Sequence, residues 1–142
     1  ALEHFKAAVK IFPMYTDAVV NLAAGLVDEG RPEEAIFYCE RFLQKARGNC
    51  LLHNNYANAL KAAGRIDEAI KQYYKALEFD KNAWQVHCNL GMIMEARGKF
   101  DDALKHYQAA AKVNPNHPAV RKGLEELLKR QRQTNKKSES AL

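Results

Sequence analysis

Serine is almost missing from these 142 residues, occurring only as Ser138 and Ser140 near the C-terminal end. An activated serine nucleophile with a base beside it therefore has no place in the body of the chain. There is no glycine-rich phosphate loop and no Asn-x-Ser/Thr sequon. No run approaches the ~20 consecutive apolar residues of a membrane-spanning helix, and no charged-then-apolar leader opens the chain. Membrane contact by this chain is not expected. Cysteine is scarce too: Cys39, Cys50 and Cys88 show no pairing pattern and no zinc-site spacing. They fit a reducing compartment, which makes the cytoplasm the expected location. No catalytic constellation, cofactor or metal site follows from what is present.

The net charge of +5 is concentrated at one end. Residues 118–142 hold seven basic side chains against three acidic ones, leaving the preceding residues nearly neutral. No aromatic residue interleaves with those charges, so single-stranded nucleic acid would find no stacking platform, and no nucleic-acid partner is expected.

What is abundant is a repeated pattern. Leu90, Gly91, Gly98, Phe100, Ala103, Tyr107, Ala110 and Pro115 reappear 34 residues earlier as Tyr56, Ala57, Gly64, Ile66, Ala69, Tyr73, Ala76 and Lys81. One period earlier still stand Leu22, Ala23, Gly30, Pro32, Ala35, Cys39, Phe42 and Arg47, and then Ala1, Phe5, Ala8 and Pro13. A fixed period of this length with small-residue and aromatic markers is the signature of a helical solenoid, in which each unit buries its apolar face against the next.

The repeat resembles the tetratricopeptide repeat. The family pattern of a large residue, Leu-Gly and a Tyr in a first helix, then Ala, an aromatic, Ala and Pro in a second, is well met from Leu90 to Pro115. Departures are Val19, His53 and His87 at the Trp position, with Trp84 three residues earlier, and Arg47 and Lys81 at the closing Pro position. The resemblance implies an all-α, right-handed superhelical solenoid of antiparallel helix pairs, with a C-terminal capping helix.

In chain order, residues 1–15 read as the second helix of a truncated repeat, with Leu2, Phe5, Val9 and Phe12 at helical spacing and Pro13 ending it. A chain opening inside a helix is expected to be a C-terminal piece of a larger protein, and the cut helix offers a surface for self-association. Three complete repeats follow at 16–49, 50–83 and 84–117. Their second helices open on Glu33-Glu34, Asp67-Glu68 and Asp101-Asp102, acids that favour a helix N-terminus rather than a metal or catalytic pair. Residues 118–133 carry Val120, Leu124, Leu127 and Leu128 on one stripe and read as the cap. Residues 134–142 are polar and are expected to be a disordered basic tail.

Asn21, Asn55 and Asn89 occupy the same place in the three first helices, although asparagine is a mediocre helix former. In the tetratricopeptide family the first helices line a concave groove. A row of carboxamides there would suit the alternating donors and acceptors of an extended peptide backbone. The arrangement resembles the asparagine ladder of the O-linked N-acetylglucosamine transferase. The other reading is that these side chains pack between helices. Asn54 and Asn58, one turn apart, enrich the same face, and Gln85, Cys88 and Met92 complete the expected groove. Three ladder hydrogen bonds supply roughly 1.5–4.5 kcal/mol, short of the ~8 kcal/mol of micromolar binding, so further anchors are required.

The chaperone-binding carboxylate clamp of the same family places Lys and Arg in its groove. The matching positions here are Val20, Ala24, Asn55, Gln85 and Asn89, and only the central Asn agrees. The expectation is a protein–protein interaction module that binds an extended or helical polypeptide segment. The alternative is the substrate-recognition region of a larger protein O-glycosyltransferase, of the O-mannosyl or the O-GlcNAc kind. The O-mannosyl kind would place it in the endoplasmic reticulum lumen.

Overall fold

The computed structural model describes Glu3 and residues 16–141. The expected truncated helix over 1–15 lies outside the described residues, Glu3 apart. Seven α-helices and no strand are present among the described residues: α1 (Thr16–Asp28), α2 (Pro32–Leu43), α3 (Cys50–Ala62), α4 (Ile66–Phe79), α5 (Trp84–Ala96), α6 (Phe100–Val113) and α7 (Pro118–Ala141). None is long and apolar enough to cross a membrane. The chain divides into two compact units, Ala1–Lys81 and Asn82–Leu142.

The turn inside each helix pair is built the same way. Gly30, Gly64 and Gly98 have φ of 76°, 82° and 76°, in the left-handed region where a Cβ is penalised. Each glycine N–H reaches the carbonyl three residues back, and the next residue's N–H reaches five back: Arg31 to Leu26, Arg65 to Leu60 and Lys99 to Met94, all at 2.8 Å. This double bond pattern satisfies the last carbonyls of the first helix and turns the chain into the second. The second helices carry their acidic pairs in the first turn, as expected. Where the preceding residue is arginine, it forks onto the second acid. Arg31 donates to Glu34 through Nε and Nη2 at 2.6 and 2.7 Å, and Arg65 to Glu68 at 2.9 and 2.6 Å.

In the first unit the core comes from Val19, Leu22 and Leu26 of α1, Ile36, Cys39 and Phe42 of α2, Leu52, Tyr56 and Leu60 of α3, and Tyr73 of α4. Cys39 stands where the next repeats have tyrosine. It is fully buried, and burial pushes its thiol up to about 12. In the second unit Val86, Leu90 and Met94 of α5 pack with Tyr107 of α6 and with Val120 and Leu127 of α7.

Tyr107 shows how small residues set the spacing. A Cβ on Gly91 would come to 3.0 Å from its ring, and one on Gly123 to 2.5 Å. The ring therefore fills space that α5 and α7 leave open only because both positions are glycine. Its hydroxyl donates to Glu95 at 3.0 Å. In the preceding repeat Tyr73 also reaches back to the first helix, but about one turn earlier, donating to Asn58 of α3.

The C-terminal helix departs from the expectation. It does not stop near 133 but runs to Ala141, through residues expected to be disordered. Residues 131–141 are all exposed, so no packing holds this segment. Its Gln, Arg, Lys, Glu and Ala residues are good helix formers, and no Gly or Pro interrupts them. Low hydrophobicity excludes a buried helix but not a solvated one. The capping part ends where Arg130 lays its guanidinium 3.8 Å from the centre of the Phe100 ring.

Candidate peptide-binding face

In the first unit, α1 and α3 pack side by side as first helices. Asn21 is exposed on α1, and Asn54, Asn55 and Asn58 are half-buried on α3. These four expected residues are thus brought to adjacent helices of one unit. Asn54, Asn55 and Asn58 all have partners within the fold. Asn55 donates from Nδ2 to the Val20 carbonyl oxygen at 3.0 Å, tying α3 to the α1 backbone, and Asn58 accepts from Tyr73. The repeated asparagine position thus acts in helix packing at Asn55.

In the second unit α5 presents Gln85 and Met92 exposed and Asn89 half-buried. Met92 is 48% exposed, one of several large apolar side chains left in water. Cys88 is a correction. Expected in the groove, it is only 5% exposed, and it packs near Tyr107, whose phenol is held above its usual range by burial first, then by its hydrogen bond to Glu95, with Cys88 a smaller contributor. One turn of helix separates Cys88 from Met92, yet the first packs inward and only the second reaches the surface.

Sequence reasoning missed Leu51. It opens α3, is 55% exposed, and stands 34 residues before Gln85 and 34 after Asp17, so alignment of the repeats would have found it. On α1 the residues at the same face, Asp17, Asn21, Ala24 and Asp28, are all exposed, and the helix contains no basic side chain.

Among the described residues the histidines are packing partners. Buried His53 pairs through Nδ1 with Gln72 Oε1 at 2.8 Å and stacks on Phe79, with ring centroids 5.5 Å apart. One period later His87 and His106 meet Nδ1 to Nδ1 at 3.1 Å. His106, isolated in the sequence, is therefore half of a recurring bridge between the first and second helices of a repeat. Burial, then the neighbouring His87, hold His106 below its ordinary value, while Asp102 opposes them. Trp84 lies against His117 at the start of α7, with ring centroids 4.7 Å apart, which gives the displaced tryptophan its packing role. Among the described residues no group of three His, Cys, Asp or Glu side chains could hold a metal ion. A cleft of 660 Å³ between the start of α6 and the outer half of α7 is lined by Phe100, Asp101, Arg130 and Thr134, apart from the first-helix faces.

Comparison with known proteins places this geometry. Residues 57–96 match the family model described as TPR repeat, and residues 84–117 the one described as tetratricopeptide repeat. None of the curated proteins matches the chain. Among solved structures, the crystal structure of MamA superposes with a TM-score of 0.73 at 16% identity, covering 95% of this chain and 89% of that one. The second TPR domain of human RPAP3, in complex with an HSP70 peptide, gives 0.70 at 21% identity over 79% of this chain and 93% of its own. YrrB, described as a TPR protein with an unusual peptide-binding site, gives 0.72 at 18% identity over 92% and 68%. At such identities the likeness is one of fold. With the 34-residue period, the Gly-closed helix pairs and the matched family models, it shows that the chain carries tetratricopeptide repeats in an all-α fold.

Proposed function

We propose that the chain is a binding module in which each unit holds polypeptide on the exposed face of its own first helices. In the first unit this face is Asn21, Leu51, Asn54, Asn55 and Asn58, and in the second it is Gln85, Asn89 and Met92. The observation that carries the reading is the exposure of Leu51 and Met92 among amide side chains. Large apolar groups left in water beside donors and acceptors are what an amphipathic or extended segment can cover. Two structures of the same fold support it, since one holds an HSP70 peptide and another is described by its peptide-binding site. The amides hold the peptide backbone, each net hydrogen bond contributing ~0.5–1.5 kcal/mol, and the apolar side chains supply the rest.

The test is capture on an array of degenerate peptides, comparing the wild-type chain with an Asn21→Ala/Leu51→Ala/Met92→Ala variant. All three side chains lie on the surface or are half-exposed, and far-UV circular dichroism should report equal helix content. Retention should fall several-fold across unrelated peptides. Unchanged retention would sink the proposal.

A further inference from the structure

The faces of α1 and α3 differ in chemistry, and the difference names a class of segment. Along α1 the exposed stripe Asp17, Asn21, Ala24, Asp28 carries carboxylates at both ends, and no cation lies on that helix. Arg31, the next basic residue, is held by Glu29 and Glu34. On α3 the residue one period after Asp17 is the exposed Leu51. Asp17 and Leu51 therefore open two neighbouring first helices of the same unit, one helix offering negative charge and the other an apolar side chain.

We infer that the occupant of this face is an extended segment with a lysine or arginine over Asp17 and an apolar side chain over Leu51. The inference rests on the binding reading above and adds to it the partner's charge and register. Packed helices lie about 8–10 Å apart, and an extended peptide advances about 3.3 Å per residue. The cation and the apolar residue are therefore about three positions apart. Charge complementarity selects against an acidic segment, because Asp17 and Asp28 would repel it and no free cation on α1 answers it. An exposed pair of this kind is worth roughly two- to fivefold in affinity, and salt screens it.

The experiment uses the whole chain and three degenerate peptide pools in fluorescence polarisation, fixed as Lys-x-x-Leu, Gln-x-x-Leu and Glu-x-x-Leu, plus a register control fixed as Lys-Leu. The expected order is Lys over Gln over Glu, with a two- to fivefold step between the first two that vanishes at ~1 M salt and is smaller in the register control. Asp17→Asn should erase the step, and Asp17→Lys should reverse it in favour of Glu. Equal binding of the three pools, with Leu51→Ala weakening all of them, would overturn the charge inference while leaving the binding face standing. Binding of none of the pools would remove both.

Discussion

Replacing Gly123 by alanine should destabilise the second unit, against the usual expectation for a helix interior. Helix propensity alone predicts a gain of ~1 kcal/mol for such a change. The structure puts the new Cβ 2.5 Å from Cζ of Tyr107 and 2.7 Å from Cε1 and Cε2, about 1 Å inside normal carbon–carbon contact. The ring is not free to move aside, because Glu95 holds its hydroxyl at 3.0 Å and the ring already sits where α5 has no side chain, at Gly91. Overpacking of a filled core costs ~1–3 kcal/mol, and a contact this short belongs at the upper end. Set against the propensity gain, the net loss is about 2 kcal/mol. With a urea m-value of about 2 kcal/mol/M the midpoint falls by about 1 M, measured by far-UV circular dichroism. The same change on a Tyr107→Leu background should be neutral or stabilising, since the ring it strikes is gone. If Gly123→Ala alone raises the midpoint, the ring is not wedged between the two glycines and the packing argument is wrong.

Gly64→Ala separates backbone strain from crowding. At φ 82° with nothing within 4 Å of a new Cβ, its cost should be conformational only, ~1–2 kcal/mol, and no substitution of a neighbouring side chain should relieve it. The His87–His106 bridge predicts a pH dependence. His106 in the folded chain sits below its ordinary 6.5, so as pH falls through that value the unfolded chain takes up the proton first. Stability is therefore full above about pH 6.5 and is lost as pH falls from there towards the depressed folded value. His106→Gln copies the His53–Gln72 pair of the preceding repeat and should flatten this part of the midpoint-versus-pH curve. An unchanged slope in that variant would assign the acid sensitivity elsewhere. The array comparison of the Asn21/Leu51/Met92 variant and the Lys-, Gln- and Glu-fixed pools test the binding face and its charge preference independently of these stability measurements.

Periodicity made the helix pairs legible because a repeat imposes the same packing problem three times. A small residue must sit where helices touch, as at Ala35, Ala69 and Ala103, and a glycine must sit where the chain reverses, as at Gly30, Gly64 and Gly98. The end of α7 was not legible in this way. Composition reports whether a segment can bury itself, and residues 134–141 cannot, yet they stay helical on local propensity alone. The candidate face was legible as positions and less so as roles. Asn55 could be placed in the first helix by its offset, but only atomic contacts distinguish a carboxamide tied to the Val20 carbonyl from one offered to a ligand.

The sequence by itself determined the architecture of each repeat and the identity of its turns, because both follow from local rules: the 34-residue period, the preference of acids for helix starts and the freedom of glycine at positive φ. The tertiary structure alone decided which side of each first helix is wet. Cys88 and Met92 stand one turn apart on α5, both apolar enough for a core, and only the packing of Tyr107 against α5 puts one of them inside and leaves the other in water. It likewise decided that His106 meets His87 and that Leu51 is exposed, since contacts made across helices depend on rotation about the helix axis, a quantity that no single segment specifies.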